Sequence, residues 1–182
     1  MLERNKMYIR EDFEGTDYQK YAEPGDDIRI LKCCFSGHSD LCGRGEEIGK
    51  QLEILIDSLR TKYDLLECYV GDYGEFDRLV AGTVHRMVKN DKPMDLKLVI
   101  PYLTSRITAE KNTYYDRFDD ITIANIPPST PIRLGIIKTN QFMVEKCDYL
   151  ICYVKHNFGG AAKTLEYAQK KKLEIINLAD TI

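Results

Sequence analysis

The sequence predicts an α/β fold: a parallel sheet of about five strands in the order 3-2-1-4-5, with helices on both faces. Two observations carry that prediction. Five short apolar runs are spaced along the chain, and amphipathic stretches of helical period fall between them. Strands alternating with such helices build a parallel sheet covered on both sides. The 182 residues, 43% hydrophobic and 30% charged, suffice for one domain with a full core.

Residues 1–27 are polar and acidic, with Tyr8, Phe13, Tyr18 and Tyr21 scattered through them and no clear period. They are expected to form an extension outside the core, disordered or docked on a partner, with the domain proper spanning 28–182. Ile28 to Phe35 is the first predicted strand, stopped by Ser36-Gly37-His38-Ser39-Asp40. Ile48, Leu52, Leu55, Ile56 and Leu59 then recur as the apolar stripe of a helix. Leu65 to Val70 is the second strand, ending in Gly71-Asp72-Tyr73-Gly74-Glu75-Phe76-Asp77. The helix that follows carries Phe76, Leu79, Val80, Val84, Met87 and Val88 on one face, and Lys92-Pro93 ends it.

Leu96 to Ile100 is the third strand, closed by Pro101-Tyr102. From Leu103 to Arg133 the rhythm breaks. Tyr, Asp, Arg and three prolines dominate, and the one apolar run, Ile121 to Ile126, is weak. A loop of this length in a compact domain is expected to be a functional lid. Leu134 to Lys146 is a predicted helix, Asp148 to Val154 the fourth strand, and Glu174 to Leu178 the fifth. Between the last two, Asn157-Phe158-Gly159-Gly160-Ala161-Ala162-Lys163-Thr164 opens a helix that ends at Lys170-Lys171-Lys172, where cations complement the helix dipole.

In a doubly wound sheet, ligands collect beyond the carboxyl ends of the strands, where the winding reverses. The four glycine- and proline-marked loops therefore converge on one edge. A strand that breaks at two glycines and restarts as a helix is a ready anion site, because first-turn N–H groups point at the ligand. An ordinary strand-to-helix turn is the alternative. Neither G-x-G-x-x-G nor G-x-x-x-x-G-K-[ST] occurs, so neither a dinucleotide cofactor nor P-loop chemistry is indicated and no cofactor is expected. Cys33 and Cys34 are adjacent in a strand and point to opposite faces, and no C-x-x-C pair appears. No metal site is expected. Reduced structural thiols, the lack of an apolar run long enough for a membrane helix and the lack of a signal-peptide core give a cytoplasmic expectation with no membrane partner. The formal net charge of −3 argues against a general attraction to polyanions, and nucleic acid is not expected as a partner.

Four motifs in this order are familiar: Cys34-Phe35-Ser36-Gly37-His38; Gly71-Asp72-Tyr73-Gly74-Glu75-Phe76-Asp77; Leu98-Val99-Ile100-Pro101-Tyr102-Leu103; and Gly159-Gly160-Ala161-Ala162-Lys163-Thr164-Leu165-Glu166-Tyr167-Ala168. From about residue 28 to the C-terminus the chain resembles a bacterial branch of the SLOG superfamily. These are Rossmann-like domains related to the cytokinin-activating LOG phosphoribohydrolases and to DNA-processing A proteins. The resemblance implies a nucleotide or nucleotide-derived ligand in the strand-end crevice, bound by a sensor or regulatory domain, and relatives that commonly form homodimers. Ligand contacts are then expected from Ser36, Gly37, His38, Gly71, Tyr73, Gly74, Pro101, Asn140, Asn157, Gly159, Gly160, Ala161, Lys163 and Thr164, with Asn140 reading a ribose or base edge.

LOG enzymes read G-G-x-G-T-x-x-E, ending in a catalytic glutamate. Here three residues separate Gly-Gly from Thr164, Tyr167 stands three beyond that threonine, and Glu166 lies one earlier. Ser39 also follows His38 where relatives often carry arginine. An N-glycosidase or (deoxy)ribosyltransferase is therefore the alternative function, and it would draw its carboxylates from Glu75 and Asp77. Those two residues serve equally as helix caps. His38 is a general base, a ligand donor or a turn-stabilising residue, while His85 and His156 are read as structural or surface groups. A structural or oligomerisation module is the third reading.

Overall fold

The computed structural model describes residues 9–10, 28–89, 93–110, 113–114 and 116–181. Among the described residues seven strands form one parallel sheet: β1 (Ile9–Arg10), β2 (Ile30–Gly37), β3 (Leu65–Val70), β4 (Met94–Ile100), β5 (Asp120–Ile123), β6 (Tyr149–Tyr153) and β7 (Glu174–Asn177). Their order is β1-β5-β4-β3-β2-β6-β7. The five predicted strands are β2, β3, β4, β6 and β7, and they stand in the predicted order. The count is larger because β5 forms inside the segment expected to be a loop, and Ile9–Arg10 pairs with Ile121–Thr122 at that edge. The expectation for residues 1–27 otherwise lies outside the described residues.

The helices are α1 (Gly45–Arg60), α2 (Glu75–Lys89), the short α3 (Ser105–Ala109), α4 (Ile132–Lys146) and α5 (Gly159–Lys170), with a 3-10 turn at Leu178–Asp180. Strand alternation splits the core in two. Leu31, Cys33 and Phe35 of β2 pack with Ile48, Leu52 and Ile56 of α1 and Phe76, Val80 and Val84 of α2. Cys34 of β2 packs with Tyr69, Val99, Met143, Val144, Leu150 and Ala168 on the α4–α5 side. Each fully buried Leu, Ile or Phe contributes about 1.5–3 kcal/mol. Cys33 and Cys34 thus face opposite ways, as adjacent strand residues must. On the second face the buried Lys97 ammonium donates to Glu67 at 2.8 Å, and the Tyr69 hydroxyl donates to the same carboxylate at 2.7 Å. These polar groups are paired inside the sheet layer, as buried polar groups must be.

The winding reverses at β2. From β2 the chain steps through α1 and α2 to β3 and β4, while the crossover through α4 returns it to β6 on the other side of β2. Gly37 stands in register with Tyr153, so β2 and β6 end level with each other. Their departing loops go to opposite faces, to α1 and to α5, and open the crevice between them.

Candidate functional site

The β2 side of the crevice is built without room to spare. Gly37 ends its strand facing α2, and a Cβ there would lie 2.3 Å from Phe76 Cγ. Gly74 meets the same loop from β3: a Cβ would come 2.8 Å from Ser39 Cα. The Glu75 N–H donates to Ser39 O at 2.9 Å, and the Leu41 N–H donates to Glu75 Oε2 at 2.8 Å. The loops after β2 and β3 are therefore locked together, and the Glu75 carboxylate is part of the lock. Beside it, Asp40, Leu41, Gly43, Gly45, Glu46, Glu75 and Leu79 line an open groove of about 410 Å³.

Asp77 also spends its carboxylate on the backbone. Its Oδ2 accepts the Tyr73 N–H at 3.0 Å, and Gly71 closes against it. Burial pushes this carboxyl up to about 6, helped by the neighbouring Asp72 charge and opposed by the Tyr73 and Gly74 N–H groups. Burial also raises the Tyr73 phenol, with Asp77 second. Tyr114, from the long segment after β4, donates to Asp72 at 3.5 Å. That segment thus packs beside the β3 loop. Pro101 ends β4, two strands from β2, and its carbonyl accepts the Ile126 N–H at 2.8 Å.

On the β6 side, His38 reaches across the crevice. Its N–H donates to Tyr153 O, and its Nε2 accepts the Lys155 N–H at 2.9 Å and, more weakly, the His156 N–H at 3.4 Å. An accepting Nε2 puts the proton of a neutral ring on Nδ1. Burial lowers the His38 pKa, and His156 lowers it further, which keeps that neutral form. The ring acts here as a staple for the chain leaving β6.

Beyond the staple, Asn157, Phe158, Gly159 and Gly160 are exposed, and Gly159 takes φ +90°, a conformation that glycine adopts without strain. The helix α5 starts there with no side-chain cap, and a Cβ at either glycine would touch nothing within 4 Å. No side chain caps its first N–H groups, and the exposed Lys163 follows as the fifth residue of the helix. Ala161 and Thr164 point inward instead. Thr164 donates to Gly160 O at 3.0 Å and accepts from Asn140 Nδ2 at 3.2 Å, and the same nitrogen lies 3.4 Å from Ser36 Oγ. Ser36 and Thr164 are buried, so Asn140 of α4 joins the end of β2 to the second turn of α5 from beneath.

The structure thus gathers Ser36, Gly37, His38, Asn140 and the residues from Asn157 to Thr164 around one gap. Gly71, Tyr73, Gly74, Glu75 and Asp77 form its acidic neighbour. Three residues went unnoticed in the sequence as site members. Arg44 donates to Tyr153 Oη at 3.3 Å and pairs with Glu47, which brings a cation against β6 although Ser39 follows His38. Leu41 supplies the N–H that holds Glu75. Phe158, a large exposed aromatic directly before a Gly-Gly turn, was the signal available. Among the described residues no cluster of His, Cys, Asp and Glu could hold a metal ion, and no helix is long and apolar enough to cross a membrane.

This architecture is that of a Rossmann-like domain in the manner of DNA processing protein A. The DNA processing protein A of Streptococcus pneumoniae superposes with a TM-score of 0.53 at 14% identity, over 80% of this chain and 49% of that one. The Helicobacter pylori protein, solved for its single-stranded DNA binding mode, gives 0.56 at 12% identity, over 81% of this chain and 64% of that one. The chain therefore spans about half to two thirds of the length of these neighbours, and the likeness is one of fold. No protein-family profile matches the sequence, and no curated protein matches it either.

The comparison overturns one expectation. Nucleic acid was set aside because of the net charge of −3, yet a protein of this fold is described by its binding of single-stranded DNA. Net charge averages the whole surface, while a strand is held by local donors such as helix N-termini and individual cations. The average therefore excludes nothing at this edge.

Proposed function

We propose that the protein binds a nucleotide unit, free or within a single strand, at the crevice between β2 and β6, as a sensor or regulatory SLOG-type domain. The observation that carries this reading is the uncapped start of α5, where exposed glycines leave the first-turn N–H groups open. Lys163 adds a cation at the residue just beyond that turn. The acidic loop after β3 offers acceptors suited to sugar hydroxyls. In this reading the protein works in the cytoplasm, where nucleotides and single strands occur.

Binding is favoured over turnover because both candidate carboxylates already accept backbone N–H groups as caps. The alternative, N-glycosidic cleavage, draws support from one feature: an Asp77 carboxyl pushed up to about 6 titrates in the range of a general acid. Incubation with nucleoside monophosphates and short oligonucleotides, followed by thermal shift and chromatography for free base, separates the two. Stabilisation without base release is expected, unchanged in Glu75→Gln. Base release that disappears in Glu75→Gln or in Asp77→Asn would establish the enzyme instead, and no stabilisation by any probe would sink both.

A further inference from the structure

Four aromatic rings form a column that climbs out of the core at the end of β6. Tyr153, 2% exposed, meets the edge of His38, with centroids 6.3 Å apart and planes at 84°. His38 lies 5.2 Å from His156, and His156 stacks on Phe158 at 5.3 Å with planes only 10° apart. The top ring, Phe158, is 70% exposed. A single exposed hydrophobic residue is unremarkable. This one is held flat by the ring beneath it, and that ring belongs to a loop whose N–H groups are bonded to His38 Nε2.

We infer that Phe158 is a stacking platform for one unpaired nucleobase, whose phosphate lies at Gly159–Gly160. The inference rests on the nucleotide reading above and names the part of the ligand that reading leaves open. A flat heteroaromatic ring gains most from an offset face-to-face contact with such a column. The phosphate donors begin one residue further on, at the uncapped first turn, and the exposed Lys155 and Lys163 flank the ring in sequence. A ring beside anion donors matches a nucleotide and not an aliphatic chain. A duplex keeps its base faces stacked on each other, so the base must be unpaired. Stacking accepts any base, because every base has a π-face.

The base can come from a nucleoside monophosphate or from a single strand. Isothermal titration with AMP, with a short oligo(dA) and with an abasic oligonucleotide of equal length distinguishes these sources. Phe158→Ala is expected to lower affinity for the base-bearing probes roughly ten-fold or more, while binding of the abasic strand stays unchanged and Phe158→Trp retains full affinity. Tighter binding of oligo(dA) than of AMP by the unaltered protein assigns the single strand as the source, and the reverse assigns the mononucleotide. Phe158 is exposed, so circular dichroism and melting temperature should not move in either variant. If the wild type binds AMP or oligo(dA) and Phe158→Ala binds them equally well, the platform is wrong while the nucleotide reading stands. An equal loss for the abasic strand likewise overturns it. If the wild type binds none of the probes, both readings fall.

Discussion

His38 Nε2 accepts the Lys155 N–H at 2.9 Å, so a side chain at the end of one strand holds the chain leaving its neighbour. The bond exists only while Nε2 is unprotonated. Burial and His156 lower the folded-state pKa below the ordinary 6.5. A depressed pKa means that the stability from this residue is present above about pH 6.5 and is lost as pH falls through the folded value. His38→Ala should therefore cost about 1 kcal/mol at neutral pH, and the gap from wild type should shrink on acidification. Hydrogen exchange at the Lys155 and His156 amides should speed up in the variant at neutral pH. Unchanged protection there would refute the staple.

Asp77 predicts the opposite slope. Its carboxyl is pushed up to about 6 from an ordinary 3.8, chiefly by burial. The folded state then holds a proton that the unfolded chain has released, so this residue's contribution falls as pH rises from about 4 to 6. The span corresponds to up to about 3 kcal/mol. Asp77→Asn removes it, because a neutral amide has no proton to lose. Denaturant titrations of both proteins at several pH values should show wild type losing ground to the variant across this window. Parallel curves would mean that the carboxylate is solvated after all.

The five-strand core and its switch point were legible because each strand is a short apolar run, three of them stopped at once by Gly37, Gly71 or Pro101, with helical periodicity in between. β5 was not, since Asp120–Ile123 is four residues with polar groups at alternate positions inside a Tyr- and Asp-rich stretch. Its pairing with β4 and β1 makes it a strand. At the site, the loops were legible and their wiring was not. Glycines and a strand-to-helix turn can be seen in a sequence. The Leu41 N–H on Glu75 and the Lys155 N–H on His38 join residues 34 and 117 positions apart, and no local pattern encodes them. The same wiring makes Asn140 a bridge between Ser36 and Thr164, 104 and 24 positions away.

Gly37 tests how closely β2 and α2 must approach. A methyl group there would sit 2.3 Å from Phe76 Cγ, and Phe76 is fully buried. Gly37→Ala should cost about 1–3 kcal/mol by overpacking. Phe76→Ala alone should also destabilise, but the double variant should lose less than the two costs added, because removing Cγ and Cδ1 takes away the two atoms nearest the new methyl group. Chemical denaturation of the three variants checks this. Strict additivity would show that Phe76 is not what excludes the methyl group.

Asn140 gives the sharpest test of the bridge beneath the Gly-Gly turn. Thr164 uses its proton on Gly160 O, so its oxygen must accept from Asn140 Nδ2. Asn140→Ala removes that donor from two buried hydroxyls and should cost about 1–2 kcal/mol. Asn140→Asp is nearly isosteric yet supplies only acceptors. To bond it, Thr164 would have to withdraw its proton from Gly160 O, loosening the turn where phosphate is expected. The new negative charge would also lie under the same helix start, opposing a bound phosphate. Asn140→Asp should therefore weaken AMP binding more than Asn140→Ala does, even if the two variants melt alike. Equal affinities would show that the bridge carries structure alone and does not shape the anion site.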